Sequence, residues 1–155
     1  VFKKAILAFL VLFGLLLVVN IGVTQLLPQV DTNQKQDIGF NDVTTHSDVA
    51  LTFISLVVLQ PIAEEALVRG YMFSRLRVRF SFLPTLLTTS ILFAAAHLQF
   101  GSGTPLLWSA AIDIFVLSLV LGYMREKTGN IWAGVLVHSL NNLFAFLLRF
   151  HGVIF

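Results

Sequence analysis

Cysteine is absent from the 155-residue chain. That excludes disulfides, thiolate metal sites and a cysteine nucleophile together, and leaves the redox compartment open. Charge is scarce as well, at 12% of residues against 57% hydrophobic ones. With a mean hydropathy of +0.88, most of this chain must be solvated by lipid rather than water. The formal net charge of +2 is too small to argue for a nucleic-acid partner, and none is expected. There is no His-Glu-x-x-His, so a zincin-type site is excluded. No Gly-x-Ser-x-Gly surrounds Ser90, Ser109, Ser118 or Ser139, which argues against a serine nucleophile on an elbow turn. Asp113 is the lone aspartate inside an apolar run, so an aspartyl dyad would lack its second member. No repeat, low-complexity tract or linker divides the chain. One membrane domain over residues 1–155 is expected, with a catalytic core in about 48–150.

What is present is a series of apolar runs near the ~20 residues that a bilayer-spanning helix requires. They cover Ala5 to Leu27, Asp48 to Phe73, Phe82 to Gln99, Leu106 to Met124 and Ile131 to Phe150. The fold expected is all-α, a polytopic transmembrane helical bundle of about five spans. The first run is longer than the apolar core of a signal peptide and ends in no small-residue cleavage site, so it reads as a span. Pro28 to Ser47 is a polar, acidic loop carrying Asp31, Asn33, Lys35, Asp37, Gly39, Asn41 and Asp42. Gly101 to Pro105 is a breaker cluster. The basic residues gather at Lys3 and Lys4, at Arg75, Arg77 and Arg79, and at Arg125 and Lys127, with only Lys35, Arg69 and Arg149 elsewhere. Those three regions are expected to face the cytoplasm, which puts the N-terminus inside and the C-terminus outside. Trp108 and Trp132 stand at helix starts, where interfacial aromatics anchor a bundle. His46 and His151 lie outside the apolar runs and are expected in solvent.

Charge inside a run of Leu, Val, Ile and Phe needs a reason. A charged side chain at the centre of a spanning helix costs roughly 2.5–3.5 kcal/mol even on the lenient scale, so such groups pair or line a wet cavity. Glu65 and Arg69 stand four apart in the Glu-first order that a helix favours, and pair with each other. Glu64 points about 100° away, with no partner expected from its own segment. Other runs supply candidates to answer it. His97 follows Phe93 by four, and Asn142 follows His138 by four, so each pair shares a helix face. Asp113 reads as a helix-packing group whose partner the sequence does not specify.

Each polar residue alone is more often a latch between helices than a catalyst. Two histidines, an asparagine and two glutamates on three helices at comparable depth point instead to one site. A peptidase needs a water made nucleophilic, a group to manage its proton, and donors aimed at the oxygen that gains charge. Glu64 fits the base and His97 shares the water. His138 and Asn142 fit the oxyanion donors, while Glu65 is held by Arg69. A zinc ion held by Glu64, His97 and His138 stays open, since two His and one Glu form a catalytic ligand set. Measured from each run's midpoint, His97 falls roughly 7 Å outward of Glu64 and His138.

These residues fall into three signatures: Glu64-Glu65-Ala-Leu-Val-Arg69, Phe93-Ala-Ala-Ala-His97 and His138-Ser-Leu-Asn-Asn142. In that order they resemble the CPBP intramembrane proteases, also called the CAAX-protease and bacteriocin-processing (Abi) family, which includes the eukaryotic Ras-converting enzyme. Pro61, Gly70, Ser90, Gly122 and Thr128-Gly129 leading to Trp132 also look like the family. The likeness covers Pro61 to Asn142, about half the chain. Two departures are a chain short for the family and Val68 where Phe is common. The resemblance implies an endopeptidase with Glu64 as base, His97 beside it, and His138 and Asn142 as the oxyanion site. Members were long classed as metalloendopeptidases, and the resemblance favours a glutamate-activated water with no cofactor. The partners implied are a peptide or protein substrate and the lipid bilayer. Peptide processing or bacteriocin self-immunity suits a small bacterial-looking chain better than prenylated CAAX substrates. The alternative is a non-catalytic membrane immunity or signalling scaffold, in which the polar cluster only locks helices.

Overall fold

The computed structural model describes residues 2–32, 34, 36–37, 39–40, 43–100 and 105–154. Asn33, Lys35, Asn41 and Asp42 of the expected acidic loop, and Gly101 to Thr104 of the breaker cluster, lie outside the described residues. Five helices follow in order: α1 (Phe2–Leu26), α2 (His46–Arg77), α3 (Phe82–Ala96), α4 (Trp108–Thr128) and α5 (Trp132–Ile154). There is no strand among the described residues, so the expected all-α bundle is observed. Four of the helices are long and apolar enough to cross a membrane, and α3 is shorter. At 15 residues, α3 spans about 22 Å, less than the ~30 Å of a hydrocarbon core.

The helix ends differ from the apolar runs because caps, not hydropathy, set them. α2 starts at His46 rather than Asp48, since Thr45 and Asp48 form a reciprocal capping box: each side chain takes the other's backbone N–H. It runs on through Arg75 to Arg77, past the apolar edge at Phe73, because arginine is a good helix former. α4 likewise continues past Met124 to Thr128 and stops at Gly129, whose φ of 71° suits a left-handed C-terminal cap. α3 stops three residues short of Gln99. His97 turns its ring back onto the Phe93 carbonyl, and Gln99 takes a φ of 55°.

Chain direction alternates so that the first residues of α1 and the last of α4 meet, Lys4 and Lys127 lining one groove. Arg77 at the end of α2 forms a two-pronged ion pair with Glu126 near the end of α4, at 3.0 and 3.1 Å. The three basic regions therefore share one end of the bundle. Trp108 and Trp132, 53% and 60% exposed, begin helices from opposite ends, as two interfacial belts require.

One apolar cluster joins α1, α4 and α5 through Ala5, Leu12, Leu117, Leu121 and Val137. A second joins α2 and α5 through Val57, Phe146 and Phe150. The outward faces remain apolar, with Leu10, Val18, Leu51, Ile91 and Leu148 all exposed, which is a surface for lipid. Asp113 on α4 has the partner that the sequence left unspecified: Asn20 of α1 donates to its Oδ1 at 2.9 Å. It serves as a packing latch between those helices.

Candidate active site

α2 carries the two glutamates on a helix of irregular pitch. Residues Ile54–Leu59 and Ala66–Met72 are wound as π-helix, with N–H groups reaching five residues back, around an α-helical segment Gln60–Glu65. Such wide turns re-aim the side chains that follow, and are frequent at functional sites.

Glu65 and Arg69 are both fully buried, 0% exposed. Arg69 Nη1 donates to Glu65 Oε1 at 2.8 Å, which is the pair expected from the sequence. Its Nη2 donates to the Ser118 carbonyl and hydroxyl on α4, and the guanidinium lies over the Phe93 ring at 4.8 Å. Both terminal nitrogens of this cation are thus bonded and its face is covered by an aromatic ring, which is how a charge survives at this depth, while Nε has no hydrogen-bond partner among the described residues.

Glu65 approaches α5 closely because residue 134 is glycine. A Cβ there would stand 2.8 Å from Glu65 Oε2, nearer than side-chain carbons come. The same carboxylate lies 3.5 Å from His138 Nδ1 through its Oε1.

Glu64 meets the other nitrogen of His138, beside a cavity of about 230 Å³ lined by Gln60, Phe93, His97, His138 and Asn142 among others. Its Oε1 lies 3.9 Å from His97 Nε2, and its Oε2 lies 3.7 Å from His138 Nε2. Oε2 is buried and has no hydrogen-bond partner among the described residues. One expectation is corrected here. Glu64 does have a partner on its own helix, since Gln60 Nε2 donates to Oε1 at 2.7 Å, an i,i+4 contact.

His97 is set by the end of α3. Its Nδ1 is 2.8 Å from the Phe93 carbonyl, and a carbonyl only accepts, so Nδ1 carries the hydrogen and Nε2 presents a lone pair in the neutral ring. Phe93 packs edge-on against both histidines, with ring centroids 4.8 Å from His97 and 6.0 Å from His138. The depth offset expected for His97 is not found. Glu64 lies about 20 Å along α2 from Arg77, and His97 about 22 Å along from Phe82 across the same turn, so the two are level. Midpoints misled because α3 is a short helix with His97 at its tip.

Asn142 lines the cavity, and one of its amide hydrogens is already used: Nδ2 donates to the Leu56 carbonyl on α2 at 2.9 Å. The structure therefore brings Phe93, His97, His138 and Asn142 around one cavity, with Glu64 3.9 and 3.7 Å from the two imidazoles and Glu65 and Arg69 buried behind His138. Among the described residues, no group of three or more His, Cys, Asp or Glu is arranged to hold a metal ion, and Glu64 turns a different oxygen to each imidazole. Gln60, Ser118 and Gly134 were not identified from the sequence. The Gln60 to Glu64 spacing is a readable signal; nothing in one sequence marks Ser118 as the acceptor for Arg69 or Gly134 as facing Glu65.

Residues 46–144 match the family described as Type II CAAX prenyl endopeptidase Rce1-like. The chain is 37% identical over 93 residues to an uncharacterized 24.3 kDa protein of Escherichia coli, covering 59% of this chain and 41% of that one. It is 33% identical over 101 residues to the uncharacterized protein YpbD of Bacillus subtilis, covering 64% and 47%. With the UPF0177 protein YxdF of Lactococcus lactis it shares 27% over 119 residues, covering 75% and 60%. The chain spans about half the length of the curated relatives it matches. No solved structure matches it.

Proposed function

The chain belongs to the Rce1-like family of type II CAAX prenyl endopeptidases, and from that premise we propose that it hydrolyses a peptide bond within the membrane, using a water activated by Glu64. The supporting observation is the arrangement around the cavity. The two Glu64 oxygens face one imidazole each at 3.9 and 3.7 Å, and the oxygen toward His138 is buried without a partner.

A single water spans the gap between Glu64 Oε1 and the His97 Nε2 lone pair, giving one hydrogen to each. Its oxygen lone pair is then turned toward a substrate carbonyl in the cavity. As the water oxygen bonds to the carbonyl carbon, Glu64 takes its proton. The second N–H of Asn142 donates to the oxygen that gains charge, and so does Nε2 of His138 in its imidazolium form, whose Nδ1–H points to the Glu65 carboxylate. The C–N bond then breaks, and Glu64 passes the proton to the leaving amine. The second water proton, the one facing His97, also ends on the amine, so the products are a carboxylate and an ammonium. Glu65, held by Arg69, which Ser118 anchors in turn, steadies His138 from behind. None of these steps calls on a metal.

The bundle is integral to a membrane, and its bacterial relatives favour a bacterial plasma membrane with the basic end, including the N-terminus, in the cytoplasm. The substrate class is a peptide or protein segment that reaches the bilayer, with peptide processing or bacteriocin self-immunity as the setting.

The test is turnover of a peptide library by purified protein in liposomes, for wild type, Glu64→Gln and Glu65→Gln. Glu64→Gln is expected to lose about 100- to 10,000-fold in rate with thermal stability unchanged, the factor attached to a general base. Glu65→Gln is expected to lose stability and only part of the activity. Equal turnover of wild type and Glu64→Gln would refute the mechanism and leave the non-catalytic scaffold as the better reading.

A further inference from the structure

Asn142 donates to a carbonyl that its own helix leaves without a donor. Within Ile54–Leu59 each N–H reaches five residues back, and at the end of that segment the Gln60 N–H bonds to the Ser55 carbonyl. In a regular α-helix the Gln60 N–H would have served Leu56 instead. One more wide turn would bring residue 61 to Leu56, and residue 61 is Pro61, which has no N–H. Leu56 O is therefore without a donor in both helical registers, an unfavourable state for a buried carbonyl. The Nδ2 of Asn142 on α5 takes the place at 2.9 Å.

An amide NH2 carries two hydrogens. Fixing one on Leu56 O sets the plane of the Asn142 amide and leaves the other for the cavity that Asn142 lines. The same bond ties α5 to α2 about two turns before Glu64. We infer that the Leu56 carbonyl, freed by the wide turn and by Pro61, is the positioning element of Asn142. Pro61 thus acts on the site through an acceptor it leaves open, without touching substrate. The catalytic half of this inference rests on the peptidase reading; the structural half does not.

The experiment is a double-mutant cycle of Pro61→Ala and Asn142→Leu in the full chain, read by thermal unfolding in detergent and by peptide turnover. Pro61→Ala returns an N–H to Leu56 O whether the helix keeps its wide turn or relaxes to α. Asn142→Leu is expected to lower Tm by about 2–12 °C in the Pro61 background, the range for a buried carbonyl left unpaired in a chain of this size. In the Pro61→Ala background the loss should be less than about half of that, since the carbonyl no longer depends on Asn142. Equal losses in both backgrounds would overturn the inference. Should Asn142→Leu fail to fold, Asn142→Ala is read in the same cycle. For turnover, Pro61→Ala is expected to lose about 10- to 100-fold in kcat with KM within about twofold, because the amide loses its fixed plane. Unchanged kcat would overturn the catalytic half. Intact Tm coupling in a protein that cleaves nothing would refute the peptidase reading and keep the latch. Normal cleavage without coupling would do the reverse.

Discussion

Replacing Arg69 by methionine isolates the ion pair behind the site. Arg69 and Glu65 are both 0% exposed, bonded at 2.8 Å, with the second guanidinium nitrogen on Ser118 and the cation over Phe93. Methionine keeps much of the length and packs on the ring, but leaves the Glu65 carboxylate buried with no cation. Removing one partner of such a pair typically costs about 3–5 kcal/mol. At roughly 2–4 °C per kcal/mol for a chain of this size, Tm should fall by about 6–20 °C. Replacing both partners, Glu65→Leu with Arg69→Met, removes the uncompensated charge and should recover most of that loss, since a buried pair is often worth little against an apolar one. Thermal unfolding in detergent, followed by circular dichroism, reads the wild type, Arg69→Met, Glu65→Leu and the double mutant. The double mutant should remain poor at cleavage even when stable, because nothing then faces His138 Nδ1, 3.5 Å from Glu65 in the native site. A Tm loss under about 2 °C for Arg69→Met, or a double mutant less stable than both singles, would refute the reasoning.

Three further outcomes are expected. Gly134→Ala places a methyl 2.8 Å from Glu65 Oε2, and this overpacking should cost about 1–3 kcal/mol, read as a lower Tm together with reduced turnover. Gln60→Leu removes the 2.7 Å bond to Glu64 Oε1; a hydrogen bond to a charged group is worth about 1.5–3 kcal/mol, so kcat should fall roughly 10- to 100-fold, and steady-state kinetics showing no change would exclude a positioning role. Chelation should leave turnover unchanged. Loss of activity restored by zinc would instead assign Glu64, His97 and His138 as its ligands.

Much of this site was legible because charge in an apolar run is conspicuous and helical spacing is rigid. Glu65 with Arg69, Phe93 with His97, and His138 with Asn142 are all paired at i,i+4 in the sequence, and the structure brings Phe93, His97, His138 and Asn142 around one cavity. What the sequence hid was mostly backbone. The wide turns of α2 alter its azimuths without any compositional mark. The short α3 puts His97 at a helix tip, where hydropathy suggested a position within a full span. Helix ends were misjudged at Arg75 to Arg77 and Arg125 to Lys127, because charge marks the membrane surface while glycine and capping residues mark the end of a helix. Gly134 matters only through the glutamate opposite it, a contact between helices that no single sequence displays.

The central claim is that a water held by Glu64 and His97 attacks the scissile carbonyl directly. A single-turnover reaction with enzyme in excess, run in H2 18O and read by mass spectrometry of the new C-terminal carboxylate, tests it without any mutation. Direct attack predicts one 18O atom in the product of the first turnover. Product carrying only 16O in that turnover would mean that a Glu64 oxygen itself bonded to the carbonyl carbon, and would contradict the account.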